Sequence, residues 1–146
     1  MIRSCGRNGV SVVGSQSLCV MMGCSIHKVK ENALTAADGG ELRVEDCSVS
    51  ESDGMGLVSE GMGATLIAKQ CQVTGSTGAG IACFSGGELE VVSSNMTENG
   101  QGIVAGGAGS QASVKGCKIE KVRLVFPRRD AHCRRVLAHL PPNARA

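Results

Sequence analysis

The acid–base chemistry that this sequence could support is concentrated in four residues. Arg43, Glu45 and Asp46 fall within four positions of one another, and Lys69 follows Glu45 by 24 residues. Two carboxylates about 5–9.5 Å apart can hydrolyse a glycosidic bond, several acids on one face can bind calcium, and a basic side chain can abstract a proton. These four residues are the only catalytic candidates in the chain. The alternative interpretation of the same residues is an ion pair between neighbouring strands.

Whether these side chains meet depends on an internal repeat. Cys24, Cys47, Cys71 and Cys117 are joined by Ser94 into a series with steps of 23, 24, 23 and 23 residues. Positions a fixed number of residues before or after this series also carry the same type of side chain in each repeat, most often an aliphatic one. Self-similarity at a fixed period of this length is the signature of a repeat protein in which one unit stacks on the next.

Each repeat contains three short segments in which apolar residues occupy alternate positions, which is the period-2 pattern of strands. Gly, Ser, Asn and Asp separate these segments and favour turns. The pattern predicts six inward-facing columns with one side chain from each repeat. The columns are Val10, Leu34, Leu57, Ile81, Ile103; Val12, Ala36, Ser59, Cys83, Ala105; Cys19, Leu42, Leu66, Leu89, Ala112; Met21, Val44, Ala68, Val91, Val114; Cys24, Cys47, Cys71, Ser94, Cys117; and Ile26, Val49, Val73, Met96, Ile119.

Three strands in each repeat predict an all-β fold, a single-stranded right-handed parallel β-helix of about five coils that spans residues 9–122. Val44 and Cys47 both face inward but are three residues apart, so a corner at Glu45 and Asp46 must change the phase. A leucine-rich repeat is the alternative architecture, because residues 42–49 also fit its core spacing. The Gly-rich, alternating segment between the repeats favours the β-helix.

Two near-identical segments begin with Gly-Gly-Glu-Leu, at residues 39–42 and 86–89. The corners between the first and second strands of successive repeats alternate in length, and these segments form the shorter ones. We expect Gly39 and Gly40 to turn the chain, because Gly adopts positive φ without steric cost.

Residues 123–146 do not continue the repeat and carry an excess of Arg. Pro127 can begin a helix and Pro141 would end it. The apolar face of that helix would contain Cys133, Val136, Leu137 and Leu140. Because the open end of a solenoid needs a cap, this segment is predicted to be a short capping helix or, alternatively, an unrelated basic tail.

The Cys column is predicted to belong to the core rather than to a metal or redox site. Free Cys packs as a small buried hydrophobe, and zinc sites usually contain closely spaced pairs such as CxxC, which this sequence lacks. Cys5 and Cys133 lie outside the column and are the expected exposed thiols. His27 should face outward without a carboxylate nearby, and no His is assigned a role. No metal and no other cofactor is predicted.

The charge distribution limits the classes of partner. Residues 1–121 contain 9 basic and 12 acidic side chains, and residues 122–146 contain 6 and 1. A nucleic-acid interface would depend on the tail alone and is not predicted. No apolar run of about 18 residues indicates a membrane span, and the N-terminus lacks the apolar core of a signal peptide. Eight Cys without a secretion signal predict free thiols and a cytoplasmic location.

The units "GGELRVEDCSVSESDGMGLVSEG" and "AGIACFSGGELEVVSSNMTENGQGIVAGG" resemble the right-handed β-helix repeat of the pectin-lyase-like superfamily, across Gly9 to Val122. The likeness is to its non-catalytic G-G-x-L-x-V-x-x-C-x-I repeat, as in the β-helix region of F-box adaptor proteins of ubiquitin ligases. Such families include enzymes and pure interaction modules, so the resemblance implies a fold more than an activity. Neither an F-box nor a lyase signature is found in the sequence.

The predicted function is a non-enzymatic repeat module that presents a ladder surface to a protein or carbohydrate partner. The first alternative is a fragment of a polysaccharide lyase or glycoside hydrolase, with Arg43, Glu45, Asp46 and Lys69 as its catalytic residues. An enzyme of that kind should place acids on adjacent coils, and the outward columns that contain these residues do not. The second alternative is a purely structural repeat of a longer chain.

Overall fold

A computed structural model describes residues 1–120, 123–125 and 137–138 of the chain, and all regular elements in these residues are strands. An initial strand, β1 (Ile2–Cys5), precedes five coils of three strands. The first two coils are β2 (Val10–Val13), β3 (Leu18–Met22), β4 (Ser25–Val29), β5 (Leu34–Ala37), β6 (Glu41–Glu45) and β7 (Ser48–Ser52). The next two are β8 (Leu57–Glu60), β9 (Thr65–Lys69), β10 (Gln72–Thr74), β11 (Ala79–Phe84), β12 (Glu88–Val92) and β13 (Asn95–Thr97). The fifth coil and the final strands are β14 (Gln101–Gly106), β15 (Gln111–Lys115), β16 (Lys118–Glu120), β17 (Arg123–Val125) and β18 (Leu137–Ala138).

Each strand pairs in parallel with the strand three positions later in the chain, so the coils stack into three sheets of six strands. Sheet A contains β1, β4, β7, β10, β13 and β16. Sheet B contains β2, β5, β8, β11, β14 and β17, and sheet C contains β3, β6, β9, β12, β15 and β18. This architecture is a parallel β-solenoid of about five turns, as the sequence predicts. It excludes the leucine-rich repeat, whose return arms do not form second and third sheets.

The strand register confirms the predicted columns. Leu42 pairs with Leu66 and Leu66 with Leu89, while on sheet A Val49 pairs with Val73. These side chains are 0–3% exposed. The core is therefore a stack of like side chains, which is how a chain with no Trp, no Tyr and two Phe closes its interior. Three inward residues of the first coil, Val10, Cys19 and Cys24, are only partly buried because fewer strands lie beneath them.

The outer faces of the three sheets differ in chemistry. Sheet A exposes small polar side chains, such as Ser48 and Thr74. The outer side of sheet B carries a second apolar cluster, with Val58, Ala79 and Ala82 buried. Sheet C mixes charged, polar and apolar side chains along its outer face.

The corner between sheets C and A is made by one left-handed residue in each coil. These residues are Gly23, Asp46, Gln70, Ser93 and Gly116, with φ between 49° and 59°. The Asp46 N–H donates a hydrogen bond to the Lys69 carbonyl of the next coil, 3.1 Å away. The predicted corner at Glu45 and Asp46 is therefore confirmed, although its residues need not be Gly.

The corner between sheets B and C explains the repeated Gly-Gly pair. Gly39 has φ 86°, a conformation that Gly adopts readily. Gly40 has ordinary φ, but a Cβ there would lie 2.4 Å from the Val12 carbonyl oxygen. Gly86 and Gly87 repeat the arrangement two coils later, with φ 86° at Gly86 and a Cβ at Gly87 2.6 Å from the Ser59 carbonyl oxygen.

Replacing Gly40 by Ala should lower the free energy of unfolding by about 1–3 kcal/mol, because the added methyl group meets backbone that must shift. Gly6→Ala is the matched control, since a Cβ at Gly6 has no neighbour within 4 Å. We expect that control to be neutral or stabilising by up to about 1 kcal/mol. Urea denaturation of both variants measures the difference, and equal midpoints would refute the close-approach explanation.

The predicted capping helix falls mostly on residues outside the described part of the chain. Within it, Leu137–Ala138 form β18, a strand paired with β15 through Ser113 and Val114, rather than a helix. A strand at this position extends the backbone ladder of sheet C, which pairs N–H and C=O groups that the edge of β15 would otherwise leave open. The solenoid also extends beyond the predicted residues 9–122 in the other sheets, since β1 continues sheet A before Gly9 and β17 continues sheet B.

Candidate functional site

The outer face of sheet C brings together the side chains that could contact a partner. Each strand of coils one to five places three outward side chains on it, at alternate positions. These are Leu18, Val20, Met22; Glu41, Arg43, Glu45; Thr65, Ile67, Lys69; Glu88, Glu90, Val92; and Gln111, Ser113, Lys115. Because the register has no shift between β3 and β15, these residues form three straight columns along the solenoid.

Two adjoining grooves run along this face and meet at Ile67. The first, of about 320 Å³, is lined by residues of coils one to three. Its outward lining side chains are Val20, Met22, Arg43, Glu45, Ile67 and Lys69. The second, of about 390 Å³, continues over coils three to five and is lined by Glu88, Glu90, Gln111 and Lys115 among others. We refer to both together as the sheet C groove.

The structure brings three of the four catalytic candidates into one groove and separates the fourth. Arg43, Glu45 and Lys69 line the first groove. Asp46 is exposed at the left-handed corner beyond the end of β6 and does not line it. Asp46 forms this corner with its left-handed backbone, and that structural role accounts for its position without a catalytic one. A catalytic role for these residues stays a prediction.

The ion pairs on this face do not include the expected one between Glu45 and Lys69 on neighbouring strands. Arg43 Nε donates to Glu41 Oε1 on the same strand. Glu45 and Lys69 are register partners, but among the described residues no ion pair within 4.0 Å joins them. The Arg43–Glu41 and Lys115–Glu90 ion pairs on this face are solvent exposed and therefore contribute little to stability.

Residues of the second groove were not picked out as site candidates from the sequence. Glu88 and Glu90 are two apart on β12 and face outward together. Glu90 Oε1 lies 3.4 Å from Lys115 Nζ, and Glu88 Oε1 lies 3.5 Å from Gln111 Nε2. The signal that could have found them is the period-2 segment "ELEVV", read for its outward rather than its inward residues.

The Cys column lies at the corner between sheets C and A and has a structural role. Cys71 Sγ donates to the Lys69 carbonyl at 3.2 Å, and Cys47 Sγ does the same to the Glu45 carbonyl. In the next coil Ser94 Oγ donates to the Val92 carbonyl at 2.9 Å and accepts the Cys71 N–H at 3.0 Å. Cys47 Sγ likewise accepts the Cys24 N–H at 3.3 Å and Cys117 Sγ accepts the Ser94 N–H at 3.5 Å, so these side chains join their own coil to the preceding one.

Burial raises the pKa of the Cys47, Cys71 and Cys117 thiols above the ordinary value. The thiolate is the form that attacks electrophiles and binds metals, so these thiols are poor nucleophiles and poor ligands at neutral pH. Among the described residues, no group of three or more His, Cys, Asp or Glu side chains is arranged to hold a metal ion. The prediction that this column is core is confirmed for Cys47, Cys71, Ser94 and Cys117, and Cys24 is partly buried against the same core.

Two expectations about isolated side chains need correction. His27 does face outward, but Glu51 Oε1 is 4.0 Å from its Nδ1, and Ser50 Oγ is 2.9 Å away. Glu51 reaches His27 because it is a left-handed residue, with φ 54°, which the sequence pattern does not reveal. Cys5 is half-buried rather than exposed, and Cys133 lies outside the described residues.

Comparison with protein families gives one match. The family model for the right handed beta helix region matches residues 2–123. Neither the comparison with curated proteins nor that with solved structures found a match. Within the described part of the chain, no helix has the length and apolarity needed to cross a bilayer.

Proposed function

We propose that this chain, which belongs to the right handed beta helix family, is a non-enzymatic module that binds a protein segment along the sheet C groove. The observation that carries the proposal is the combination of apolar and charged side chains in two adjoining grooves that share Ile67. Val20 and Met22 are 58% and 65% exposed, and Arg43, the register partner of Val20, lines the same groove together with Lys69. Met and Arg are enriched at protein interfaces.

A protein partner fits this groove better than a carbohydrate. Sugar rings commonly pack against the broad apolar faces of aromatic side chains. The chain has no Trp and no Tyr, and none of the residues that line the sheet C groove is aromatic. Exposed aliphatic and thioether side chains instead favour partners with apolar side chains of their own.

The shape and charge of the groove favour an extended peptide. Its three straight columns repeat at the spacing of stacked strands, about 4.8 Å. Each groove carries charges of both signs, with Arg43, Glu45 and Lys69 in the first and Glu88, Glu90 and Lys115 in the second. A segment with an apolar side chain over Ile67 and both acidic and basic residues on either side of it would complement this pattern.

Selection of binding peptides from a random library on the purified protein tests this proposal. Ile67→Asp should weaken the selected peptides at least about tenfold, because a charge would replace the apolar centre of the groove. Thr74→Asp is the matched control, since Thr74 is an outward, half-buried residue of the same coil on sheet A. Equal binding by both variants would contradict the proposed surface. So would binding of oligosaccharides in place of peptides.

The alternative function, a polysaccharide lyase or hydrolase, rests on Arg43, Glu45 and Lys69 lining one groove. Incubation with polygalacturonate and calcium tests the lyase reaction. Unsaturated product that absorbs in the ultraviolet, and that is lost with Lys69→Ala but not with Thr74→Asp, would replace the binding proposal with an enzymatic one. We expect no product.

A further inference from the structure

Several charged side chains of the sheet C groove already have a partner within the chain. Arg43 Nε donates to Glu41 Oε1, and Lys115 Nζ lies 3.4 Å from Glu90 Oε1. These four side chains can contact a bound segment, but none of them needs a partner from outside the chain.

Glu45 and Lys69 are different. They are register partners at the ends of β6 and β9, and both line the first groove. Within the described part of the chain, neither side chain takes part in an ion pair or a hydrogen bond. A carboxylate, which only accepts hydrogen bonds, and an ammonium, which only donates them, therefore lie on adjacent coils without a partner there.

A primary carboxamide is the neutral group that satisfies both side chains at once. Asn and Gln have an NH2 group that donates and a carbonyl oxygen that accepts. The NH2 group can donate to the Glu45 carboxylate while the Lys69 ammonium donates to the carbonyl oxygen. A carboxylate in the same place would be repelled by Glu45, and an ammonium by Lys69. An apolar group would cover both charges without a hydrogen bond, so the pair selects against all three.

The residues on both sides of this pair in its outward column are apolar. The column contains Met22, Glu45, Lys69 and Val92 in register, with Met22 65% exposed and Val92 half-buried. From Met22 to Val92 the column spans three coil spacings, about 14 Å, and the point between Glu45 and Lys69 lies halfway. Side chains on one face of an extended peptide are two residues apart and advance about 6.6–6.8 Å each time. Three such side chains therefore match Met22, the charged pair and Val92.

We propose that the sheet C groove binds an extended segment of the pattern apolar-x-Asn/Gln-x-apolar, with the carboxamide between Glu45 and Lys69. This inference rests on the proposed peptide-binding function and names its specificity determinant. The two apolar side chains cover Met22 and Val92, which shields the hydrogen bonds of the carboxamide from water and strengthens them. Ile67 lies two residues before Lys69 on β9, so the same segment passes the apolar centre of the groove.

Four synthetic peptides test the proposal on the purified protein. They share a sequence selected from the random library and differ only at the central position, which is Gln, Glu, Lys or Leu. The Gln peptide should bind at least about tenfold more tightly than the other three, as measured by isothermal titration calorimetry. Equal affinities of the Gln and Glu peptides would overturn the proposal.

Charge changes at the pair should redirect this preference. Glu45→Lys leaves two ammonium groups, so the Glu peptide should become the tightest binder, and Lys69→Glu should favour the Lys peptide. The double variant restores one charge of each sign and should prefer Gln again. Gln72→Lys is the matched control, because Gln72 is exposed on sheet A of the same coil as Lys69, and it should keep the wild-type preference.

The outcomes separate this inference from the proposed function. Binding that Ile67→Asp weakens, but that shows no preference for a carboxamide, would keep the groove as the binding surface and overturn the pattern. A double variant that does not recover the preference for Gln, with the strand content of the wild type by circular dichroism, would also overturn it. Failure of every peptide to bind the wild-type protein would overturn both proposals.

Discussion

Replacing Leu66 by Ala should lower the free energy of unfolding by about 2–5 kcal/mol. Leu66 is fully buried in the middle coil, and its column neighbours Leu42 and Leu89 are also buried. The substitution removes apolar surface and leaves a cavity that the rigid strand ladder cannot close. In a solenoid each coil contacts only its neighbours, so a cavity in the middle coil weakens the contacts on both sides.

Leu18→Ala is the control for this substitution. Leu18→Ala removes the same atoms as Leu66→Ala, but Leu18 is 57% exposed on β3 at the edge of sheet C. Surface substitutions of this kind usually change stability by no more than about 0.5 kcal/mol. Urea denaturation followed by circular dichroism compares the two variants. Equal losses would mean that the inward columns do not supply the stability of the fold.

The second large effect is a loss of stability at alkaline pH. The Cys47, Cys71 and Cys117 thiols have a raised pKa in the folded state because they are buried. As pH rises above the ordinary thiol value of about 9.0, these groups ionise in the unfolded chain but stay protonated in the folded one. The unfolded state is therefore favoured, and each thiol costs up to about 1.4 kcal/mol per pH unit until its folded-state pKa is reached. Below the unfolded-state pKa the contribution of these thiols does not change with pH.

A variant with Cys47→Ser, Cys71→Ser and Cys117→Ser tests the origin of this loss. Ser already occupies the same column at Ser94, where its hydroxyl makes both hydrogen bonds of the ladder. The variant should lose less stability than the wild type between neutral pH and the alkaline range, as measured by urea midpoints at each pH. Parallel pH profiles for the two proteins would show that other groups cause the loss.

The inward-facing side chains of this structure could be predicted from the sequence, because alternating apolar residues and a fixed repeat length leave little freedom in the strand register. Once Leu42, Leu66 and Leu89 are assigned to one column, a shift of one residue would turn every inward side chain outward. The Gly-Gly corner was predictable for a related reason, since few residues other than Gly fit both Gly39 and Gly40.

The contacts and conformations of the outward-facing residues could be predicted only in part. The sequence places Arg43 between Glu41 and Glu45, but side-chain conformation decides that it pairs with Glu41. Likewise, nothing in the pattern shows that non-Gly residues such as Asp46 and Glu51 adopt positive φ. The groove itself depends on how outward side chains of several coils combine, and a column-by-column reading does not show such a combination.

The most direct test of the proposed binding function is to map a selected peptide onto the protein by amide chemical shifts. The account predicts that the shifted amides lie on β6, β9 and β12, on both sides of Ile67. Sheet A amides of the same coils, such as those of β7 and β10, should stay unchanged. Shifts confined to sheet A, or shifts produced by oligosaccharides but by no peptide, would contradict the assignment of the sheet C groove as a protein-binding surface.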